Sequence, residues 1–353
     1  MDSGSNLNSY IELVVPLIEE EMRHIVNNLH DDLAQSGFDV GQPDIFVTML
    51  RYHLGFANAD GTPVQVYSGK RLRPVLVLLC CEACGGTAGN ALPAAAAIEL
   101  MHNFSLIHDD IEDRDELRRG RATLWKLWGD AQAINSGDAM FTLAHLAMQA
   151  ALSRGARAAH VLQALKVFDE AAMALTIGQH LDLSFEKRSD VSATEYMAMI
   201  KGKTGALTQA ACAIGAILAG APAARISALA GFGAWLGIAF QLQDDILGIW
   251  GDPAVTGKQD SDLSHHKKTL PVLYAAERNQ QLRELYFRRT IPGADDLSLL
   301  RQLIEENEGR EYTESAAHEA YVKSLQALGA AGIEGPAADV LYALAESLLG
   351  RSA

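Results

Sequence analysis

Apolar residues recur at intervals of three and four along nearly the whole chain, and runs of alternating β-branched residues are absent. That period belongs to amphipathic helices, so the pattern predicts long helices joined by short loops. Gly, Pro and polar clusters interrupt it around residues 37–43, 58–63, 85–89, 129, 154–155, 220–222, 251–257 and 291–295. The breaks portion the chain into helices of ordinary length, and none reads as a flexible Gly/Ser linker. No fixed-period repeat emerges. The expectation is one all-α domain over residues 1–353, a helical bundle with an interior cleft.

Composition narrows this picture. Of 353 residues, 49% are hydrophobic and only 7% aromatic, enough for a large core built mainly from Ala and Leu. A formal net charge of −15 argues against nucleic acid as a partner, since that recognition needs a basic face. An anionic substrate would need metal ions or local basic clusters. The opening MDSGSNLNSY lacks the basic start and apolar stretch of a secretory signal, and the longest apolar run, 210–224, is interrupted by Gly215, Gly220 and Pro222. It is too short to span a bilayer. The expectation is a cytoplasmic protein without integral membrane association. Cys80, Cys81, Cys84 and Cys212 offer one isolated CxxC, which cannot complete a zinc site and reads as buried reduced thiols.

Candidate chemistry concentrates in two acidic clusters. The first runs from His102 through Phe104, Ser105 and His108 to Asp109, Asp110 and Asp113, followed by Arg118, Arg119 and Arg121. On a helix, Asp109 and Asp113 project from one face and repel unless a cation lies between them. Mg²⁺ suits that geometry, because it prefers hard carboxylate oxygens and keeps positions open for water and phosphate. A lone DDxxD is more often a solvated helix face. Here an apolar approach, a dense acidic stretch and three arginines follow one another, which suits metal beside diphosphate, with guanidinium forks on the remaining oxygens.

The second cluster repeats the order: Gln241, Asp244 and Asp245 end an apolar run, followed by Lys258 and then Lys267 and Lys268. Two such helices facing across a cleft would hold several Mg²⁺ ions against one diphosphate. Two basic groups lie elsewhere, Lys70–Arg71–Leu72–Arg73–Pro74 and Lys203–Thr204–Gly205. Pro74 marks a helix start, where free amides and the dipole favour an anion; either group alone would read as a solvated basic turn.

Taken together, GKRLRP, LIHDDIED, LRRGRAT, KTG, FQLQDD and GDPAVTGK, in this order between Tyr67 and Pro271, resemble the trans-isoprenyl diphosphate synthases. That resemblance implies a bundle of long helices around a deep central cavity, usually homodimeric, with Mg²⁺ as cofactor, three ions per active site. It implies that Asp109, Asp113 and Asp244 bind the metal, supported by Asp110 and Asp245. It further implies that Arg118, Lys203, Thr204, Gln241 and Lys258 hold an allylic diphosphate, and that Lys70, Arg73, His102 and Arg119 hold isopentenyl diphosphate. Lys267 matches a lysine close to the second motif. One departure stands out: the family's second motif usually carries a third aspartate where this chain has Gly248, which leaves the metal geometry there open.

The implied reaction ionises the allylic carbon–oxygen bond, after which the isopentenyl double bond attacks the cation and a proton is lost to the released diphosphate. His102 and His108 then read as hydrogen-bonding residues rather than as a base or a metal pair. A terpene cyclase or a non-catalytic partner subunit would share the scaffold. The retained isopentenyl diphosphate residues favour elongation over the first, and the intact first motif argues against the second. Phe104, five residues before Asp109, with small Ser105 after it, reads as the floor that sets product length. The pattern resembles archaeal-type geranylgeranyl diphosphate synthases, so a C20 product is expected, with C15 as the alternative.

Overall fold

The computed structural model describes residues 3–35, 44–66, 71–251, 261–287 and 293–349. Its elements are α1 (Ser3–Gln35), α2 (Asp44–His53), α3 (Leu72–Ala83), α4 (Ala88–Glu112), the strands β1 (Leu117–Arg118) and β2 (Arg121–Ala122), α5 (Leu124–Trp128), α6 (Asp130–Ala150), α7 (Ala158–Glu186) and α8 (Ala193–Ile200). A π-helical turn (Lys201–Gly205) leads into α9 (Ala206–Leu218), followed by α10 (Ala223–Trp250), α11 (Ser261–Ser264), α12 (Leu270–Arg278), α13 (Gln280–Tyr286), α14 (Ala294–Glu306), α15 (Gly309–Ala330) and α16 (Pro336–Leu349). The all-α expectation holds. Breaks expected near 58–63, 85–89, 129, 154–155 and 220–222 fall between helices, and 293 precedes α14, whereas 37–43, 252–257 and 291–292 lie outside the described residues. A break at 187–192 has no Gly or Pro to announce it. Ser192 caps the next helix there, accepting from the Glu195 N–H while the Glu195 carboxylate accepts from the Ser192 N–H, a reciprocal capping box.

The chain forms two compact units. The first comprises Met1–Phe168, Ala213–Ala221 and Gly335–Ala338. Its centre is α4, whose Ala91 and Ala94–Ala97 are fully buried; such short side chains let helix backbones approach closely. α6 answers with Ala133, Gly137, Met140, Ala144 and Ala147 on one buried face, the three-and-four spacing of a helical stripe. At Gly137 the approach is so tight that a Cβ would stand 2.2 Å from His108 Nε2.

The second unit comprises Asp169–Cys212, Pro222–Glu334 and Asp339–Ala353. α10 packs along α15 and against the π turn. Among the described residues it is the one helix long and apolar enough, by composition, to cross a membrane. The 210–224 stretch, expected to be the longest apolar run, is divided between α9 and the start of α10, and Phe232, Leu236, Leu242, Ile246 and Ile249 of α10 are buried in the protein. Cys80, Cys81 and Cys212 are buried and in no disulfide, as expected, while Cys84 is only half-buried.

Candidate active site

Within the first unit, the first aspartate motif is the last turn of α4. The Asp113 N–H donates to the Asp109 carbonyl at 2.8 Å, so the helical register holds through both carboxylates and keeps them on one face. Asp109 is half-buried and Asp113 exposed. Asp110 points the other way and is buried, accepting from Arg118 Nε at 2.5 Å. Burial pushes its carboxyl up to about 6 against the pull of the Arg118 guanidinium. Asp110 therefore anchors Arg118 and leaves the outward face to its neighbours.

The arginines sit on a feature that the periodicity missed. β1 and β2 pair antiparallel, Arg118 opposite Arg121, and the two residues between them, Arg119 (φ 53) and Gly120 (φ 76), are both left-handed. Two positive φ values in a two-residue loop are what a tight hairpin demands. The hairpin presents Arg118, Arg119 and Arg121 to a pocket shared with Tyr52, His53 and Asp110. Arg121 is fixed by the Tyr52 and Ala57 carbonyls at 3.0 and 2.7 Å. His53, which sequence reasoning passed over, lies in this basic pocket, and burial together with Arg118, Arg119 and Arg121 pushes its imidazole down to about 3.

Arg73 and His102 come together, Arg73 Nη1 donating to His102 Nε2 at 3.4 Å. Burial, and then Arg73, lower the His102 imidazole well below its ordinary range, so it is the neutral ring that accepts. This agrees with a hydrogen-bonding role. His108 packs edge-on to Phe104, ring centres 4.9 Å apart, with Nε2 3.9 Å from Asp138 Oδ1. Lys70 lies outside the described residues. Arg71, part of the same basic run, is no solvated turn residue: with φ 45 it turns inward, donating to Glu19 at 3.0 Å and Glu99 at 2.7 Å.

Upstream on α4, Phe104 meets Phe141 of α6 at 5.1 Å, and the stack continues through His145 to Phe168 at 4.6 and 5.2 Å. Ser105 is buried and donates to the His102 carbonyl at 2.8 Å, so its hydroxyl is spent on the helix itself.

The second unit carries the second motif near the end of α10. Asp245 is buried and ties three elements together: it accepts from Tyr196 Oη of α8 at 2.5 Å, from Gln241 Nε2 at 3.1 Å and from the Leu270 N–H of α12 at 3.2 Å. Burial pushes its carboxyl up to about 7, against these three donors. Asp244, next in sequence, is half-buried. Thr204 donates to Gln241 Oε1 at 2.9 Å, and Lys203 is held by Asp182 at 2.5 Å, so Lys203, Thr204 and Gln241 lie on adjoining elements, as the motif reading requires. The π turn that carries two of them packs on α7 through glycines: a Cβ on Gly178 would meet the Lys203 nitrogen at 2.2 Å. Lys267 stands 3.6 Å from Asp262. Lys258 lies outside the described residues.

Asp109 and Asp113 in the first unit, and Asp244 in the second, are each hard oxygen donors, the kind that Mg²⁺ selects. Among the described residues, no three His, Cys, Asp or Glu side chains converge as a ready-made metal cage. The donors present fit an ion bound through one or two carboxylates, with water and phosphate oxygens completing its shell, which is the usual mode for Mg²⁺.

The sequence model of the family described as polyprenyl synthetase matches residues 62–304, a wider span than the motifs between 67 and 271. The (2E,6E)-farnesyl diphosphate synthase of Mycobacterium bovis is 41% identical over 313 residues, 86% of each chain. The geranylgeranyl diphosphate synthase of Mycobacterium tuberculosis is also 41% identical, over 286 residues, 80% of this chain and 81% of its own. The crystal structure of a polyprenyl synthetase from Streptomyces coelicolor A3(2) aligns with a TM-score of 0.87 at 36% identity, covering 97% of this chain and 99% of its own. Agreement of that length, on a chain whose ordered motifs end two helices in carboxylates and gather basic side chains beside them, makes it a member of the polyprenyl synthetase family, the trans-prenyl diphosphate synthases.

Proposed function

We propose that this chain condenses isopentenyl diphosphate with allylic prenyl diphosphates to a trans-prenyl diphosphate of C20, geranylgeranyl diphosphate. The observation that carries the reading is the division of labour within each motif: one carboxylate, Asp110 or Asp245, is buried and held by protein donors, and its neighbour, Asp109 or Asp244, is only half-buried. A divalent cation bound at Asp109, Asp113 and Asp244 supplies Lewis-acid stabilisation of the leaving diphosphate. Arg118, Lys203, Thr204, Gln241 and Lys258 grip the allylic diphosphate, the first two pre-oriented by Asp110 and Asp182. Charge gathered there favours cleavage of the allylic carbon–oxygen bond.

Lys70, Arg73, His102 and Arg119 hold the diphosphate of isopentenyl diphosphate, which does not leave. Neutral His102, accepting from Arg73, steadies that guanidinium and takes no proton from substrate. The isopentenyl double bond attacks the allylic cation, and the proton lost from the adduct passes to the released diphosphate.

The C20 assignment rests on Phe104, braced by Phe141 five residues before Asp109. Relatives named farnesyl and geranylgeranyl diphosphate synthase are both 41% identical, over 313 and 286 residues, so length is decided by product sizing. Purified protein with Mg²⁺, isopentenyl diphosphate and each allylic primer is expected to yield C20, and chelator to abolish turnover. Farnesyl diphosphate as the end product would shift the assignment to C15, and turnover unaffected by chelator would remove the metal from the mechanism. The active form is a homodimer; Ile134, Leu146, Leu162, Met173 and Ile177 of α6 and α7 are large apolar side chains left exposed in the single chain, as a subunit interface needs. A monomeric mass by light scattering at micromolar concentration would contradict it.

A further inference from the structure

Gly248 lies one helical turn beyond Asp244 on α10, so the two positions share a face. A Cβ built on Gly248 would stand 2.0 Å from Asp262 Oδ2 and 2.7 Å from Asp262 Cγ. The carboxylate of Asp262 therefore occupies the space that a side chain at position 248 would fill. Its backbone is firmly held. The Asp262 carbonyl accepts from the Lys267 N–H at 2.9 Å and from Tyr286 Oη at 3.3 Å, and neighbouring Leu263 is wholly buried in a core cluster with Ile249 and Tyr286. Only 14% of the Asp262 side chain is exposed.

We propose that Asp262 supplies the third carboxylate of the second metal motif, reaching from α11 to the place where Gly248 offers no side chain. The inference rests on the metal-dependent reading above. Mg²⁺ takes one or two carboxylates and fills its shell with phosphate oxygens and water, so Asp244 with Asp262, whose carboxylate lies against Gly248 one turn beyond Asp244, is a sufficient protein share. The ion pair with Lys267 does not by itself account for Asp262: the two are 3.6 Å apart and Lys267 is 63% exposed, and such surface pairs contribute little.

The test is titration calorimetry of Mn²⁺, as a Mg²⁺ surrogate, into the full chain with inorganic pyrophosphate, beside prenyl-transfer kinetics. Asp262→Asn, close in shape, should weaken metal-dependent pyrophosphate binding by roughly 10- to 100-fold. Gly248→Asp alone should also be impaired, since two carboxylates would contest one space. Gly248→Asp combined with Asp262→Ala should recover most of the affinity that Asp262→Ala loses. Wild-type affinity in Asp262→Asn, or a double variant no tighter than Asp262→Ala, would overturn the assignment. Should variants at position 248 fail to fold, Asp262→Asn decides alone. A wild-type protein that binds Mn²⁺ and pyrophosphate but makes no prenyl product would remove the proposed activity while leaving the role of Asp262 decided by the binding data.

Discussion

Phe104 stands about 7.5 Å before Asp109 along the helix axis, at 1.5 Å per residue, and it does not stand alone. Phe141 braces it from α6, so the proposed floor is a pair of rings rather than one. Phe104→Ala should lengthen the main product beyond C20, and Phe141→Ala should broaden the product range by letting the Phe104 ring yield. Sizing by chromatography after dephosphorylation checks both. Unchanged products in the two variants would move the floor to Met101 or Leu100, one turn deeper. At this scale the sequence was most readable where one residue type at one spacing carries the chemistry, as with Asp109 and Asp113. Partners were not readable: Asp182 is 21 residues from Lys203, and Tyr196 is 49 from Asp245, separations that only the fold brings together. His53 carried a faint signal at best, a histidine at the end of a helix with no motif around it.

Elements differ in how they announce themselves. Long helices show their period, and α4 could be expected to end in its aspartates. A hairpin with two residues in each strand is too short for an alternating pattern, and its sole cue was the Arg119–Gly120 pair. Arg71 illustrates a further gap, because nothing in the basic run set it apart from Lys70 and Arg73, the two assigned to substrate. Its guanidinium instead joins α1, α3 and α4 through Glu19 and Glu99, with 1% of the side chain exposed. Removing Glu99 leaves the buried guanidinium to Glu19 alone and deprives Arg71 Nη1 and Asn103 Nδ2 of an acceptor. Glu99→Ala should therefore cost about 1–3 kcal/mol of unfolding free energy, read from urea melts, and Arg73 with His102 should be displaced along with the α3 start that Arg71 fixes. A loss below about 0.5 kcal/mol, the range of ordinary surface changes, would show that the cluster is not holding these helices.

For the molecule as a whole, the half-buried neutral histidines set an acid limit. The folded chain holds His53 at about 3, and His102 also far below its ordinary value, while in the unfolded chain both rings titrate near 6.5. Between those values the unfolded state binds protons that the folded state refuses, so this stability is full above pH 6.5 and is lost as pH falls toward 3. Each ring adds a slope of up to about 1.4 kcal/mol per pH unit in that window. His53→Gln should flatten the acid limb of stability between about pH 6 and pH 4, and a variant limb as steep as the wild type would contradict the neutral state. The π turn at Lys201–Gly205 also reaches beyond its own five residues. An extra residue in a helix acts as a shift of reading frame, because each residue advances the helix by about 100°. The apolar stripes of α8 and α9 are thus written in two frames, joined where Lys203 and Thr204 stand. Length alone, with no change of side-chain chemistry, would redirect this wall: losing a single residue between 201 and 205 would turn everything that follows on α9 by about 100° and carry the Thr204 hydroxyl away from Gln241.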